Sequence, residues 1–321
     1  MKKNIVLMII AVSAATLFSL FAGRNFINPF SLDDISGKIL FSVRLPRVLT
    51  SLLVGSALGT SGAVLQGVLR NPLADPYILG ISSGAALFAG AGLIIGSAFL
   101  GPLTVPLLAF AGACLTCAIV GVLGYRRGIL LPERLLLAGL GLGFLFTAIL
   151  MLIMSLSSAY GTRRALLWIF GDLSMSDWSL IPYGFLLAGS GLTLAIARRK
   201  GLNALILGDE VAFSLGFSPS RERLLLFASV SLMTATAISL GGVVGFVGLL
   251  IPHIVRFLAG SDAKVLLPLS AISGAGILVI ADTVGRTVVF PSELPAGVIT
   301  SIVGAPYFLY LLRKKSMLGM R

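Results

Sequence analysis

The chain has 321 residues, of which 57% are hydrophobic and 11% charged, and a formal net charge of +12. A soluble domain carries about 25% charged and roughly 45–50% apolar residues, so this composition excludes an ordinary soluble fold and points to a membrane domain. The basic excess does not read as nucleic-acid binding, because lysines and arginines stand singly or in twos and threes between apolar runs, as the positive-inside rule produces.

In chain order, Lys2-Lys3 precedes an apolar run from Ile5 to Ala22. That pairing resembles a signal peptide, but no small-x-small cleavage site precedes Arg24, and the run is read as a retained first helix. Further runs predict helices near 48–69, 78–96, 103–124, 135–155, 179–197, 224–240, 243–258, 265–284 and 294–312, ten with the first. A membrane helix needs about 20 mostly apolar residues, and the even spread of runs predicts one all-helical membrane domain over 1–321. With the N-terminus inside, 17 of the 24 lysines and arginines fall on the inner side, while Arg24, Lys38, Arg44, Arg47, Arg163, Arg164 and Arg286 fall outside. That bias places both termini in the cytoplasm.

Glycines four apart, as at Gly55/Gly59, Gly80/Gly84, Gly139/Gly143 and Gly241/Gly245, suit close helix packing in lipid. Cys114 and Cys117 have C-x-x-C spacing, but no second pair exists and they read as small residues packing in a helix.

Two connections are longer than the rest. Residues 23–47 lie outside and hold Asp33, Asp34 and Arg44-Leu45-Pro46-Arg47. Residues 198–223 lie inside. Asp209 and Glu210 with Gly216 downstream suit a short helix with an acidic first turn and a glycine stop. A second short helix is expected from Ser218, with Pro219 at its first position. Together they suggest a docking platform, or else an ordinary surface loop.

Little in the chain could carry catalysis. No G-x-x-x-x-G-K-[ST] phosphate loop and no H-E-x-x-H zinc motif occurs, so the chain is expected to hydrolyse no ATP, to bind no metal or cofactor, and not to be an enzyme. The single His253 sits near a helix end, where capping or packing is the ordinary role. Asp282 and Arg286 are spaced for an i,i+4 pair near the outer end of a helix. The poverty of mid-membrane charge argues against the main alternative, an ion-coupled secondary transporter. An intramembrane enzyme would need a paired nucleophile and base, and none stands out.

Several stretches, in order, carry a resemblance. They are Arg44-Leu45-Pro46-Arg47 leading to Gly62-Ala63-Val64-Leu65-Gln66-Gly67; Arg70-Asn71-Pro72-Leu73-Ala74-Asp75-Pro76 with Leu79-Gly80-Ile81-Ser82-Ser83-Gly84-Ala85; Leu207-Gly208-Asp209-Glu210 with Leu215-Gly216; Gly245-Phe246-Val247-Gly248-Leu249 with Ile251-Pro252-His253-Ile254-Val255-Arg256; and Leu294-Pro295-Ala296-Gly297-Val298 with Gly304-Ala305-Pro306. Over nearly its whole length the chain resembles the permeases of binding-protein-dependent ABC importers for iron-siderophores, haem and cobalamin, the FecCD family.

The resemblance implies an all-α bundle of ten membrane helices per subunit, like the cobalamin importer permease of type II ABC importers. It implies pairing with a second permease, expected to be identical, with the pathway between them. Two ATPase subunits, which carry ATP and Mg, would dock on cytoplasmic coupling helices at about 203–220, through Leu207, Gly208, Asp209, Glu210, Leu215 and Gly216. A soluble or lipid-anchored binding protein would dock through carboxylates meeting Arg44, Arg47 and Arg286, for which membrane-interface anchoring is the ordinary alternative. Asn71 and Leu73 match an inner gate, or else a plain turn. The cargo implied is a metal chelate, moved by alternating access across a bacterial cytoplasmic membrane. Residues 157–178, with Arg163, Arg164, Trp168, Asp172, Asp177 and Trp178, are expected to include a short outer helix near the pathway.

Overall fold

The computed structural model describes residues 2–23, 26–28, 33–96, 100–126, 129–289 and 292–313. Arg24, Arg127, Lys314, Lys315 and Arg321, counted in the charge bias above, lie outside them. The described residues form fourteen α-helices: α1 (Lys2–Phe21), α2 (Asp34–Ile39), α3 (Leu45–Val68), α4 (Ile81–Ile95), α5 (Thr104–Gly124), α6 (Pro132–Ser155), α7 (Ala159–Ile169), α8 (Ile181–Ala197), α9 (Arg199–Leu207), α10 (Asp209–Ser214), α11 (Pro219–Gly241), α12 (Val247–Ala259), α13 (Ala263–Val288) and α14 (Ala296–Arg313). A two-residue antiparallel ladder, with Tyr125 opposite Leu130 and Arg126 opposite Ile129, joins α5 to α6.

Among the described residues, five helical stretches are long and apolar enough to cross a membrane: Asp34–Val68, Gly101–Gly124, Pro132–Ser155, Pro219–Gly241 and Ala263–Val288. The pair α8–α9, bent by 57°, makes a sixth, and four shorter apolar helices lie at Ile5–Phe21, Ile81–Ile95, Val247–Ala259 and Ala296–Tyr310. These ten correspond one to one with the ten apolar runs.

The central element is α3, buried along nearly its full length. It can sit there because its glycines admit neighbouring backbones. A Cβ on Gly55 would fall 2.2 Å from the carbonyl oxygen of Gly274 in α13, and one on Gly62 would fall 1.9 Å from that of Gly248 in α12. Near its start, hydroxyls on α3 bond locally: Thr50 donates to the Pro46 carbonyl and Ser51 to that of Arg47. By contrast, α6 turns Leu137, Phe144 and Met151 outward, all more than 60% exposed. That is the surface of a helix that meets lipid or another apolar partner.

Three expectations are corrected. The outer connection 23–47 is not a loop throughout: from Asp34 onward it is helical, passing through a single π turn at Leu40–Arg44 straight into α3, so Arg44-Leu45-Pro46-Arg47 lies within a continuous rod. The second short helix at the inner connection is α9, Arg199–Leu207; Ser218 and Pro219 instead open the long helix α11, whose first turn is thus five residues earlier than the apolar run suggested. Finally, Gly241 and Gly245 do not form one packing face. Gly241 ends α11 beside Val54, and residues 242–246 are unwound before α12 begins beside Leu58 and Gly62.

That break lies alongside the middle of α3. With 13 residues, α12 spans about 20 Å, short of the ~30 Å hydrocarbon thickness. Irregular backbone at such depth requires internal partners, and it has them. The Val244 N–H donates to the Tyr77 hydroxyl at 3.0 Å. The Gly242 N–H bonds the Ile238 carbonyl at 2.8 Å, and the Trp168 carbonyl, at the end of α7, packs so close that a Cβ on Gly242 would fall 2.1 Å from it. The expected short helix in 157–178 is therefore present as α7.

Candidate functional sites at the two ends of the bundle

Charge is concentrated at the two ends of α3, and between Arg47 and Arg70 that helix carries no ionisable residue. At the first end, the Arg47 guanidinium donates to both oxygens of Asp282, at 2.9 and 3.1 Å, and to Glu293 at 2.6 Å. Arg286 approaches Asp282 at 3.7 Å, one turn along α13 as the i,i+4 spacing anticipates. It also donates to the Ser19 carbonyl and hydroxyl, at 2.5 and 2.7 Å. Arg44 donates to the carbonyls of Leu20 and Phe21, at 3.1 and 2.6 Å.

Those carbonyls belong to the last turn of α1, where no intrahelical donors remain. Arg44 and Arg286 thus cap α1 and place positive charge at its negative pole. The side chains of Arg44, Arg47 and Arg286, the residues expected to meet a binding protein, are buried here and donate within this subunit, except that the Arg286 Nε has no hydrogen-bond acceptor among the described residues. Of the carboxylates, Asp282 is 2% exposed and Glu293 is 51% exposed.

At the opposite end, two adjacent residues of α11's first turn pin the two short helices. Glu222, buried, pairs with Arg198 at the bend between α8 and α9. Arg223, 3% exposed, grips both oxygens of Asp209 at 2.6 and 2.8 Å. Asp209 also accepts from Arg70 at 2.5 Å. Further along α9, the Asn203 amide donates to Asp262 at 2.9 Å and its carbonyl accepts from the Ala263 N–H, tying α9 to the start of α13. Asp262 itself caps α13, and the Lys264 N–H and Asn203 hold its carboxyl below the usual range.

Local geometry explains why α9 and α10 are separate. Gly208 adopts φ +124° between them, a conformation that side chains rarely take. Gly216 stops α10 as foreseen, with φ +84°; its N–H bonds the Phe213 carbonyl and the Phe217 N–H that of Ala212, a Schellman end. The outward faces of the two helices carry large exposed apolar side chains beside Glu210. Leu207, Phe213 and Leu215 are 66%, 75% and 58% exposed, and Val211 lies beside them. A cleft of about 360 Å³ runs between Arg70 and Leu207–Val211.

Asn71 and Leu73 sit in the turn that follows α3. Asn71 accepts the Leu73 N–H on its side chain at 2.9 Å, an Asx turn. Gln66, whose importance the sequence did not disclose, braces this turn. Its amide nitrogen donates to the carbonyls of Ala74, Gly248 and Leu249 at 3.2–3.3 Å, and its oxygen accepts from Arg256 at 2.5 Å. The one side-chain amide among the apolar and small hydroxyl residues that follow Arg47 in α3 was the available signal. His253 is half-buried on α12, one turn before Arg256. Cys117 is buried and Cys114 exposed, both free. Among the described residues no group of three or more His, Cys, Asp or Glu side chains could hold a metal ion.

Known proteins give this arrangement a context. The FecCD transport family profile matches residues 5–314. The chain is 38% identical to the hemin transport system permease protein HmuU of Yersinia pestis over 97% of this chain and 94% of that one. It is 40% identical to the cobalamin import system permease protein BtuC of Halobacterium salinarum, covering 90% of this chain and 77% of that one. A solved inward-facing ABC transporter assigned to the metal-chelate type superposes with a TM-score of 0.85 at 30% identity, covering 98% of this chain and all of the other. This chain is an integral membrane permease and belongs to the FecCD transport family.

Proposed function

We propose that this permease is the membrane-spanning subunit of an ATP-driven importer, carrying a metal chelate, an iron-siderophore in first place, with haem or a corrinoid as the other candidates. The observation that carries the reading is the α9–α10 end: exposed Leu207, Phe213 and Leu215 surround an Asp209 held rigidly by buried Arg223. An apolar rim around a fixed polar centre is what a cytoplasmic ATPase subunit could grip. On this reading that end is cytoplasmic, as are both termini, and the membrane is a bacterial cytoplasmic membrane. Two ATPase subunits supply ATP and Mg, and a second copy of this chain completes the pathway. Asn71 and Leu73 form its inner gate.

The binding protein would arrive at the Arg47 end. Arg47 has one buried acceptor, Asp282, and one half-exposed acceptor, Glu293. Docking through Arg47 would then proceed by exchanging Glu293 for a partner carboxylate, while Arg44 and Arg286 keep α1 in place.

Proteoliposomes test the importer reading. Uptake of a ferric siderophore, haem or cobalamin should require the ATPase subunits and ATP, and should survive an ionophore that collapses ion gradients. Uptake by the permease alone, abolished by the ionophore, would establish the ion-coupled carrier instead.

A further inference from the structure

We infer that Arg70 is a positioning residue that ties the gate turn to the docking helix α10 through Asp209. This rests on the importer reading and adds to it a route by which motion at the inner face reaches the pathway.

Arg70 stands immediately before Asn71. It has φ +51°, one of two non-glycine residues with positive φ among those described. That conformation is uncommon for a residue with a Cβ. The Arg70 backbone is fixed by its own N–H bonding to the Gly67 carbonyl and by the next N–H, of Asn71, bonding to that of Gln66. From this position the guanidinium reaches Asp209, the first residue of α10.

Asp209 is shared by two arginines of different character. Arg223 is 3% exposed and belongs to the rigid start of α11, whereas Arg70 is 42% exposed and belongs to the turn. This ion pair lines the cleft between Arg70 and α10. The opposite flank of the turn hangs from Gln66, which holds the Ala74 carbonyl and is itself held by Arg256 of α12. The segment 70–74 is thus suspended between α10 on one side and α12 on the other. A partner that shifts α10 displaces one suspension point and leaves the other in place, and Asn71 and Leu73 lie between them.

The test uses the full complex reconstituted with ATPase and binding protein, and reads uptake per ATP hydrolysed. In Arg70→Met, assembly and hydrolysis stay near the wild-type level while uptake per ATP falls about tenfold, the size of a typical coupling between sites. Arg70→Lys, which keeps the charge, restores most of it. Arg70→Gln gives the same readout where the Met variant does not assemble. Unchanged uptake per ATP in the Met and Gln variants overturns the link. So does a proportional fall in hydrolysis and uptake, which would make Arg70 part of the docking surface only. A wild-type complex that shows no ATP-dependent uptake overturns the importer reading itself, and is distinguishable from both.

Discussion

The two charged ends of α3 use the same residue types to opposite effect. At the Arg47 end the guanidiniums of Arg44, Arg47 and Arg286 are buried and donate to Asp282, Glu293, the Ser19 hydroxyl or the carbonyls closing α1. At the Asp209 end the carboxylate is 43% exposed and is flanked by apolar side chains that the described residues leave 40–75% exposed. A closed ion cluster holds helices together. An open one, fixed from behind by a buried arginine, presents a rigid polar centre to something outside. The lesson is that arginine content at a membrane surface does not identify a docking site; burial and partner inventory do.

The largest expected effect breaks the closed cluster. Asp282→Ala leaves Arg47 and Arg286 buried without their shared carboxylate, and loss of one partner from a buried ion group costs about 3–5 kcal/mol. Purified in detergent, this variant should melt far below wild type. Replacing the cluster together, as Arg47→Met with Asp282→Leu, should recover much of that loss, because a well-packed apolar substitute is often neutral. A double variant as unstable as the single one would show that the charges themselves are required.

A smaller effect lies between the two ends. Gly62→Ala places a methyl where the Gly248 carbonyl already stands, and overpacking of this kind costs roughly 1–3 kcal/mol. Gln66→Leu should cost about 1–3 kcal/mol, because Arg256 loses its acceptor and three carbonyls lose a donor. Thermal melts of each variant measure both. The smallest effect on stability belongs to the open end. Phe213→Asp should change the melting free energy by less than about 0.5 kcal/mol while abolishing co-purification with the ATPase. A large loss of stability there would mean that Phe213 packs within the subunit.

Much of this was legible beforehand. The ten apolar runs, the acidic start and glycine stop of α10, and the Asp282–Arg286 spacing all follow from local chemistry, and the structure has them. The fate of Arg44 was not legible, because the carbonyls it caps lie 23 and 24 residues away in α1. Nor was the break at 242–246. Its hydrogen-bond partner is Tyr77, 167 residues distant, and the stretch stays apolar throughout, so hydropathy runs on where the helix does not. Arg223 looked like one more cytoplasmic cation until Asp209 was seen folded back onto it. Hydropathy reports depth, and only long-range contacts report which charges are already taken.

Photo-crosslinking in the assembled transporter compares the two ends directly. A crosslinking amino acid at Phe213 or Leu215 should capture an ATPase subunit, and one at Glu293 should capture no ATPase subunit. Capture of the ATPase at Glu293, or no capture of it from either α10 position in a complex that still transports, would contradict the assignment of the open end to the motor.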